Sequence, residues 1–440
     1  MPDARSPLTQ TEQTLCAAVA RRHGALLADL RTHVDTPTGM GHRTGLDATR
    51  EIFSQRLRAL GADATLIRGS PRPRWLDYPR PGRAAALEAI PEHIPPTLIC
   101  RNIHERDAGL GAVAAPAPAV LLSGHLDTVH DPRGPFNALT IDKAARRATG
   151  PGCVDMKGGL VIALHALEAL ADCGIPSRWA FILNSDEETG SFHSDAALRA
   201  EAGSGRYVAG LALEPAMANG ALAIARGGSG QFTISTRGKQ AHVGRDFASG
   251  VSAVTALAQA ILGAHHLSHA DQGVCVNISP LACDLPPNVV ADFAQAWGNV
   301  RYPRPEIGEA LARDLLALAA SGPRDGLPAT AIEVVLNRPA KPETPGTRAL
   351  ALAAQHAALD LGQHLPFGTT AGVCDGNNLQ AAGLPTIDTL GVRGGGLHTL
   401  DEWIDLDSLV ERSQLLALLV ARICSGSAAA EGAGAPPARA

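Results

Sequence analysis

A strand-like segment that ends in three acids constrains this chain more than any other feature. The apolar run at residues 180–183 leads through two polar residues into Asp186, Glu187 and Glu188, and a glycine follows at position 190. Burying a strand is favourable, whereas burying carboxylates costs free energy unless a cation lies opposite them. The acids therefore indicate a cation site at a strand end, although an acidic triplet taken alone is more often a solvated loop.

Two further apolar runs end in the same kind of residue. Residues 119–122 lead into His125 and Asp127, and residues 208–213 lead into Glu214. Helical patterns lie between these runs, and strands that alternate with helices favour an α/β sheet. Ligands of such sheets collect at the carboxyl ends of the strands. We therefore predict a catalytic domain built on a mostly parallel sheet that is flanked by helices.

The middle of the chain has a different pattern. Residues 231–236 alternate in polarity, and they are followed by helical patterns at 252–263 and 305–320 and by strand-like stretches at 274–278, 289–302 and 331–336. Two helices packed on one face of an antiparallel sheet would account for this order. We interpret residues 223–337 as an inserted α+β domain within a catalytic domain that comprises residues 1–222 and 338–424.

Two other segments differ in composition from the rest. Residues 69–96 are rich in proline and arginine, so we predict a surface insertion without regular structure. Residues 425–440 are mostly glycine, alanine and proline, which predicts a disordered tail.

Composition argues against several kinds of partner. Charged residues make up 18% of the 440 residues, the formal net charge is -5 and no basic run occurs, so nucleic acid is not expected as a partner. No apolar run approaches the roughly 20 residues of a membrane span, and residues 1–13 do not have the pattern of a signal peptide. The 8 cysteines form no close pair, which is typical of reduced thiols. We expect a cytoplasmic protein that acts on small molecules.

Five residues are candidate metal ligands, and all are imidazoles or carboxylates. They could hold two ions of the zinc class, with one carboxylate shared between the ions. Cobalt or manganese would also suit these donors. Taken singly, each has a simpler interpretation, such as a turn acid or a loop histidine, but those interpretations would have to hold for all five at once. The candidates are His125, Asp155, Glu188, Glu214 and His398.

Two neighbouring acids have candidate roles beside these ligands. Side chains two apart on a strand point to the same side, so Asp127 could accept the second N–H of His125 and raise its basicity. Glu187 lies next to the candidate ligand Glu188. A carboxylate in that position could take a proton from a water molecule that the metal activates.

Three motifs resemble those of the M20 metallopeptidases, and most of all the glutamate carboxypeptidase branch. The resemblance extends from about residue 11 to residue 424 and rests on the segments 123–129, 150–159 and 186–191, which read SGHLDTV, GPGCVDMKGG and DEETGS. It implies two zinc ions, an inserted lid or dimerisation domain, and a homodimer that forms through that domain.

The resemblance also implies a role for each candidate residue. His125 and His398 would each bind one zinc ion, and Asp155 would bridge the two. The sites would be completed by Glu188 and Glu214. Glu187 would be the general base, and Asp127 would orient His125.

The inserted domain contains further family-like segments. Residues 237–244 resemble a glycine-x-x-alanine-histidine motif, which implies that His242 stabilises the oxyanion, often in the partner subunit's active site. Residues 288–291 and 299–301 resemble a second pattern, which implies that Arg301 binds a substrate carboxylate with Asn288 as its polar companion. Ala291 and Asn299 depart from that pattern, because the family usually has proline and aspartate there.

We therefore predict a di-zinc hydrolase that cleaves an amide bond next to a free carboxylate. Its substrates would be small peptides or N-acyl amino acids with a C-terminal residue such as glutamate. A deacylase of N-acyl amino acids, of the acetylornithine type, would use the same metals. The alternative from another class is a non-catalytic binding protein that retains the fold, although such a protein would be expected to have lost part of the ligand set.

Overall fold

The structure is a computed structural model that describes residues 7–39, 41–77, 94–103, 117–320 and 326–427. None of the helices in these ranges is both long and apolar enough to cross a membrane. The helices are α1 (Gln10–Arg21), α2 (His23–Asp35), α3 (Arg43–Ala59), α4 (Gly158–Asp172), α5 (Asp195–Ala202), α6 (Ala253–His265), α7 (Pro305–Ala320), α8 (Pro345–Asp360), α9 (Asp375–Ala381) and α10 (Asp407–Cys424).

The strands belong to one large central sheet, one sheet in the inserted region and several short pairings. They are β1 (Asp63–Ile67), β2 (Thr97–Asn102), β3 (Val120–His125), β4 (Thr140–Asp142), β5 (Arg147–Thr149), β6 (Trp179–Asn184), β7 (Ala209–Ala212), β8 (Leu222–Arg226), β9 (Gly228–Arg237), β10 (Ala241–His242), β11 (Cys275–Ala282), β12 (Val289–Val290), β13 (Phe293–Tyr302), β14 (Thr330–Arg338), β15 (Phe367–Thr370), β16 (Thr386–Ile387), β17 (Gly394–Gly395) and β18 (Trp403–Asp405).

The central sheet has the strand order β1-β2-β6-β3-β7-β16. Strand β3 runs parallel to both β6 and β7, and β16 runs parallel to β7, whereas β2 is antiparallel to both of its neighbours, β1 and β6. Both faces are covered, because Leu122 and Phe181 belong to one buried cluster and Leu121 and Ile182 belong to another. Each such side chain contributes roughly 1.5–3 kcal/mol when it is buried. The predicted α/β class with a mostly parallel sheet is confirmed.

The inserted region forms a second sheet with the order β11-β13-β9-β14, in which all neighbours are antiparallel. Helices α6 and α7 pack on one face of this sheet and share a buried cluster that contains Phe232 and Ala294. Strand β8 lies outside it and pairs with β15. The sheet thus begins at Gly228, five residues after the predicted start of the insertion at residue 223. The division into domains otherwise stays a prediction.

Several local expectations need correction. Within the segment predicted to be an irregular surface insertion, residues 74–76 form a 3-10 turn, Leu76 is buried, and the indole N–H of Trp297 donates to the carbonyl of Trp75 at 2.6 Å. This part of the insertion therefore packs on the second sheet. The predicted strand 289–302 is divided into β12 and β13. Residues 78–93 of the insertion and 428–440 of the predicted tail lie outside the described ranges.

Candidate active site

The ends of three parallel strands bring His125, Glu214 and the acids at 187–188 to one edge of the central sheet. Strand β3 ends at His125, and Glu214 follows the end of β7 by two residues. Strand β6 is followed at once by a turn in which residues 187–189 form a 3-10 helix. Because parallel strands have their carboxyl ends at the same edge, side chains from distant parts of the chain meet there.

Asp155 lies between two histidines. One carboxylate oxygen, Oδ1, is 3.2 Å from Nε2 of His125, and the other, Oδ2, is 3.3 Å from Nε2 of His398. Glu214 lies beside His125 at 4.0 Å, and Glu188 lies beside His398 at 3.3 Å. The structure thus brings all five candidate ligands together as two groups that share Asp155, and the ligand atoms within each group lie within 4.8 Å of one another.

The charge and burial of this cluster suit divalent cations. Burial raises the pKa of Glu188 and the pKa of Glu214. Burial also opposes ionisation of Asp155, but hydrogen bonds with His125 and His398 outweigh it and lower the pKa of that carboxyl. Among the described residues, Oε1 of Glu188 is buried and has no hydrogen-bond partner. Clustered carboxylates with an unpartnered oxygen are costly unless a cation lies among them, and imidazole and carboxylate are zinc donors.

Asp127 contacts both His125 and the turn that carries the acids. Nδ1 of His125 is 3.0 Å from the backbone carbonyl of Asp127 and 3.5 Å from its carboxylate. The same carboxylate accepts the backbone N–H groups of Glu187 at 3.2 Å and Glu188 at 3.0 Å. Strand β3 ends at His125, so strand alternation does not place this acid. Asp127 therefore links the first histidine to the turn that carries the acids.

Glu187 forms an ion pair that the sequence did not reveal. Its Oε1 lies 2.7 Å from Nη2 of Arg338, whose exposed fraction is 1%. Burial raises the pKa of Glu187 to about 8, although Arg338 favours the charged form. Arg338 also binds Asp375 at 2.6 Å and Ser191 at 2.7 Å. The predicted inserted domain ended at residue 337, one residue before Arg338. The sequence feature that could have pointed to Arg338 is its place at the end of a strand with an apolar run.

The other three candidates lie apart from the ligand cluster. His242 is exposed, and its Nδ1 accepts the backbone N–H of Gly244 at 3.1 Å. Asn288 is also exposed, and its backbone carbonyl accepts the N–H of Val243. Arg301 is partly buried, which lowers its pKa, and its Nε donates to Asn299. Within the described part of the chain, no hydrogen bond or ion pair joins any of the three to the ligand cluster.

Strand register separates Asn288 from Arg301. Phe293, at the start of β13, pairs with Arg237, whereas Arg301 pairs with Ser229 near the other end. The eight steps from residue 293 to residue 301 span about 27 Å at roughly 3.4 Å per residue, and Asn288 precedes the start of the strand. Within one chain these two residues do not bind the same small group.

Comparison with known proteins agrees with this geometry. Residues 121–422 match peptidase family M20/M25/M40. The chain belongs to this family. It is 25% identical over 422 residues to carboxypeptidase G2 of Pseudomonas sp. (strain RS-16), and the match covers 94% of this chain and 93% of that protein. Membership makes this M20 chain a metal-dependent peptidase or amidohydrolase.

Solved structures have the same fold. Aminopeptidase PepT of Bacillus cereus superimposes with a TM-score of 0.66 at 20% identity, covering 91% of this chain and 98% of that one. The YXEP protein of Bacillus subtilis, a dinuclear metal binding peptidase of the M20 family, superimposes with a TM-score of 0.60 at 17% identity. The match covers 92% of this chain and 99% of that one. The M20 fold of this chain thus extends over both sheets.

Proposed function

We propose that this M20 peptidase is a two-metal hydrolase that cleaves an amide bond next to a free carboxylate. The observation that carries the proposal is Asp155, which presents one oxygen to each of two histidines within 3.3 Å. The match to carboxypeptidase G2 over nearly the whole chain supports a carboxypeptidase. Its substrates are small peptides or N-acyl amino acids whose C-terminal residue is one such as glutamate.

Two zinc ions suit the donors best, although cobalt or manganese would also bind such ligands. His125, Asp155 and Glu214 would hold one ion. The second ion would be held by Asp155, Glu188 and His398. When bound, the two ions supply activation of a water molecule and polarisation of the amide carbonyl.

Glu187 carries the proton transfers in this proposal. Arg338 binds its Oε1, which leaves Oε2 as the oxygen that takes a proton from the attacking water. The same group then gives the proton to the leaving amine. A pKa raised by burial brings such a group towards the neutral pH at which proton transfer in both directions is efficient.

Contacts to the oxyanion and to the substrate carboxylate come from the inserted domain in this proposal. His242 is exposed and lies apart from the ligand cluster of its own chain. A homodimer formed through the inserted domain would bring His242 of the partner subunit to the cluster. Sedimentation equilibrium that finds a fully active monomer would exclude this part of the proposal.

The test of substrate class compares matched pairs of substrates. An N-acyl-glutamate and its α-carboxamide differ only in the α-carboxylate, the one next to the amide bond that is cleaved, and loss of a charge-assisted contact should lower kcat/KM by about 10–100-fold. N-acetyl amino acids, including N-acetylornithine, are measured beside them. Faster hydrolysis of the acetyl compounds would favour the deacylase, and no hydrolysis by the metal-bound protein would favour a binding protein.

A further inference from the structure

We propose that Glu402 is a positioning residue that holds the bridging Asp155 in place and ties together the three segments that carry metal ligands. The inference rests on the proposed two-metal site. It concerns a residue that binds no metal itself, because the hydrogen bonds of its side chain go to the backbone of the loop at 152–155 and to one histidine.

Both carboxylate oxygens of Glu402 are used. Oε1 accepts the backbone N–H groups of Val154 at 2.9 Å and Asp155 at 3.0 Å. Oε2 accepts the backbone N–H of Gly152 at 2.9 Å and lies 2.6 Å from Nε2 of His130. The side chain is almost fully buried, with 1% of its surface exposed. An ionised carboxylate has two oxygens that only accept hydrogen bonds, and here the two oxygens face four nitrogen atoms.

These contacts join three distant parts of the site. Asp155 lies in the loop that Glu402 binds through its backbone. His398 lies four residues before Glu402 in the same segment, and His130 follows His125 by five residues on the segment after β3. The backbone carbonyl of Glu402 also accepts the N–H of the residue at position 150 at 3.1 Å. One residue thus connects the segments of both metal-ligating histidines to the loop of the bridging carboxylate.

The shape of the loop at 152–155 explains why its hydrogen bonds to Glu402 matter for the metal site. Gly152 has a φ of 71°, a left-handed conformation that glycine adopts readily, and in this loop the N–H groups of residues 152, 154 and 155 all donate to the carboxylate of Glu402. The N–H of Asp155 is one of these groups, so Glu402 fixes the backbone from which the bridging side chain reaches both histidines. Residues that orient metal ligands change metal affinity by about 10–100-fold when they are substituted.

Glu402→Gln tests the inference, because the amide group would direct an N–H towards N–H donors. We expect the affinity of the metal-free protein for zinc, measured by competition with a chromophoric chelator, to fall about 10–100-fold. We also expect the absorption spectrum of the cobalt-substituted protein to change, because the geometry at Asp155 changes. Zinc affinity and a cobalt spectrum equal to those of the wild type would overturn the inference.

Glu201→Gln is the matched control. Glu201, on α5, is also a buried carboxylate, with 4% of its surface exposed. It accepts hydrogen bonds from Arg101 and Tyr207, and none of its partners is a candidate metal ligand. This variant is expected to lose stability as Glu402→Gln does, but to bind zinc within about twofold of the wild type. An equal loss of zinc affinity in both variants would show that Glu402 acts only through general stability, against the inference.

A second variant covers the case in which Glu402→Gln does not fold. His130→Ala removes one of the four contacts and leaves the three backbone contacts in place, and we expect a loss of zinc affinity of about threefold to tenfold. A folded His130→Ala protein with unchanged affinity would count against the inference. If the wild type binds no metal, the proposed function fails as well, whereas normal binding by both variants defeats only the role of Glu402.

Discussion

Glu187→Gln is expected to lower kcat by about 10²–10⁴-fold, the usual contribution of a general base. The amide keeps the size of the side chain and can still accept a hydrogen bond from Arg338, but it cannot take a proton from water. The five candidate ligands are untouched, so metal content should equal that of the wild type. The measurement is steady-state hydrolysis of an N-acyl-glutamate by protein whose metal content has been determined.

The control for this variant is Glu343→Gln. Glu343 is a surface carboxylate paired with Arg348 and lies outside the ligand cluster. The Glu343→Gln protein should retain the wild-type kcat. Wild-type turnover by a Glu187→Gln protein that contains its full complement of metal would show that another group carries the proton, and would contradict the proposed role.

Arg338→Met is expected to lower the free energy of unfolding by about 3–5 kcal/mol, which is the cost of removing one partner of a buried ion pair. Arg338 binds Asp375, whose side chain is 4% exposed, and Glu187, whose side chain is 12% exposed. Methionine fills much of the same volume but leaves two carboxylates without their cation. Urea unfolding of the metal-free protein measures the change without a contribution from bound metal.

Two further variants identify the cause of that loss. Arg304→Met removes an arginine from an exposed pair with Glu306 and should cost less than about 1 kcal/mol. Adding Asp375→Asn to Arg338→Met removes one of the unbalanced charges and should restore part of the lost stability. A single Arg338→Met variant as stable as the exposed control would mean that the buried pair does not hold this part of the site together.

The ligands at the strand ends were predictable because they depend on local pattern and on one rule of architecture, whereas Asp155 and His398 lie outside the strands. Apolar runs of strand length give the strands, and the strand ends of a parallel sheet lie at one edge. His125 and Glu214 therefore meet although 89 positions separate them in the sequence. The central sheet was predicted from the same pattern of apolar runs that alternate with helical segments.

The residues that support the cluster were not predictable by the same reasoning. Glu402 binds the backbone of a loop about 250 positions earlier, and Arg338 binds Glu187 across 151 positions. Nothing in the local sequence distinguishes a buried acceptor of backbone N–H groups from a surface acid. The separation of Asn288 from Arg301 depends on strand register, which a short motif does not encode.

The most direct measurement is the metal content per chain of protein purified without added metal, with hydrolysis of an N-acyl-glutamate followed before and after chelation. The two-metal account predicts close to two zinc ions per chain, activity that disappears on chelation, and recovery when zinc is returned. A chain that binds no metal and hydrolyses nothing, or one that hydrolyses the substrate undiminished after chelation, would contradict it.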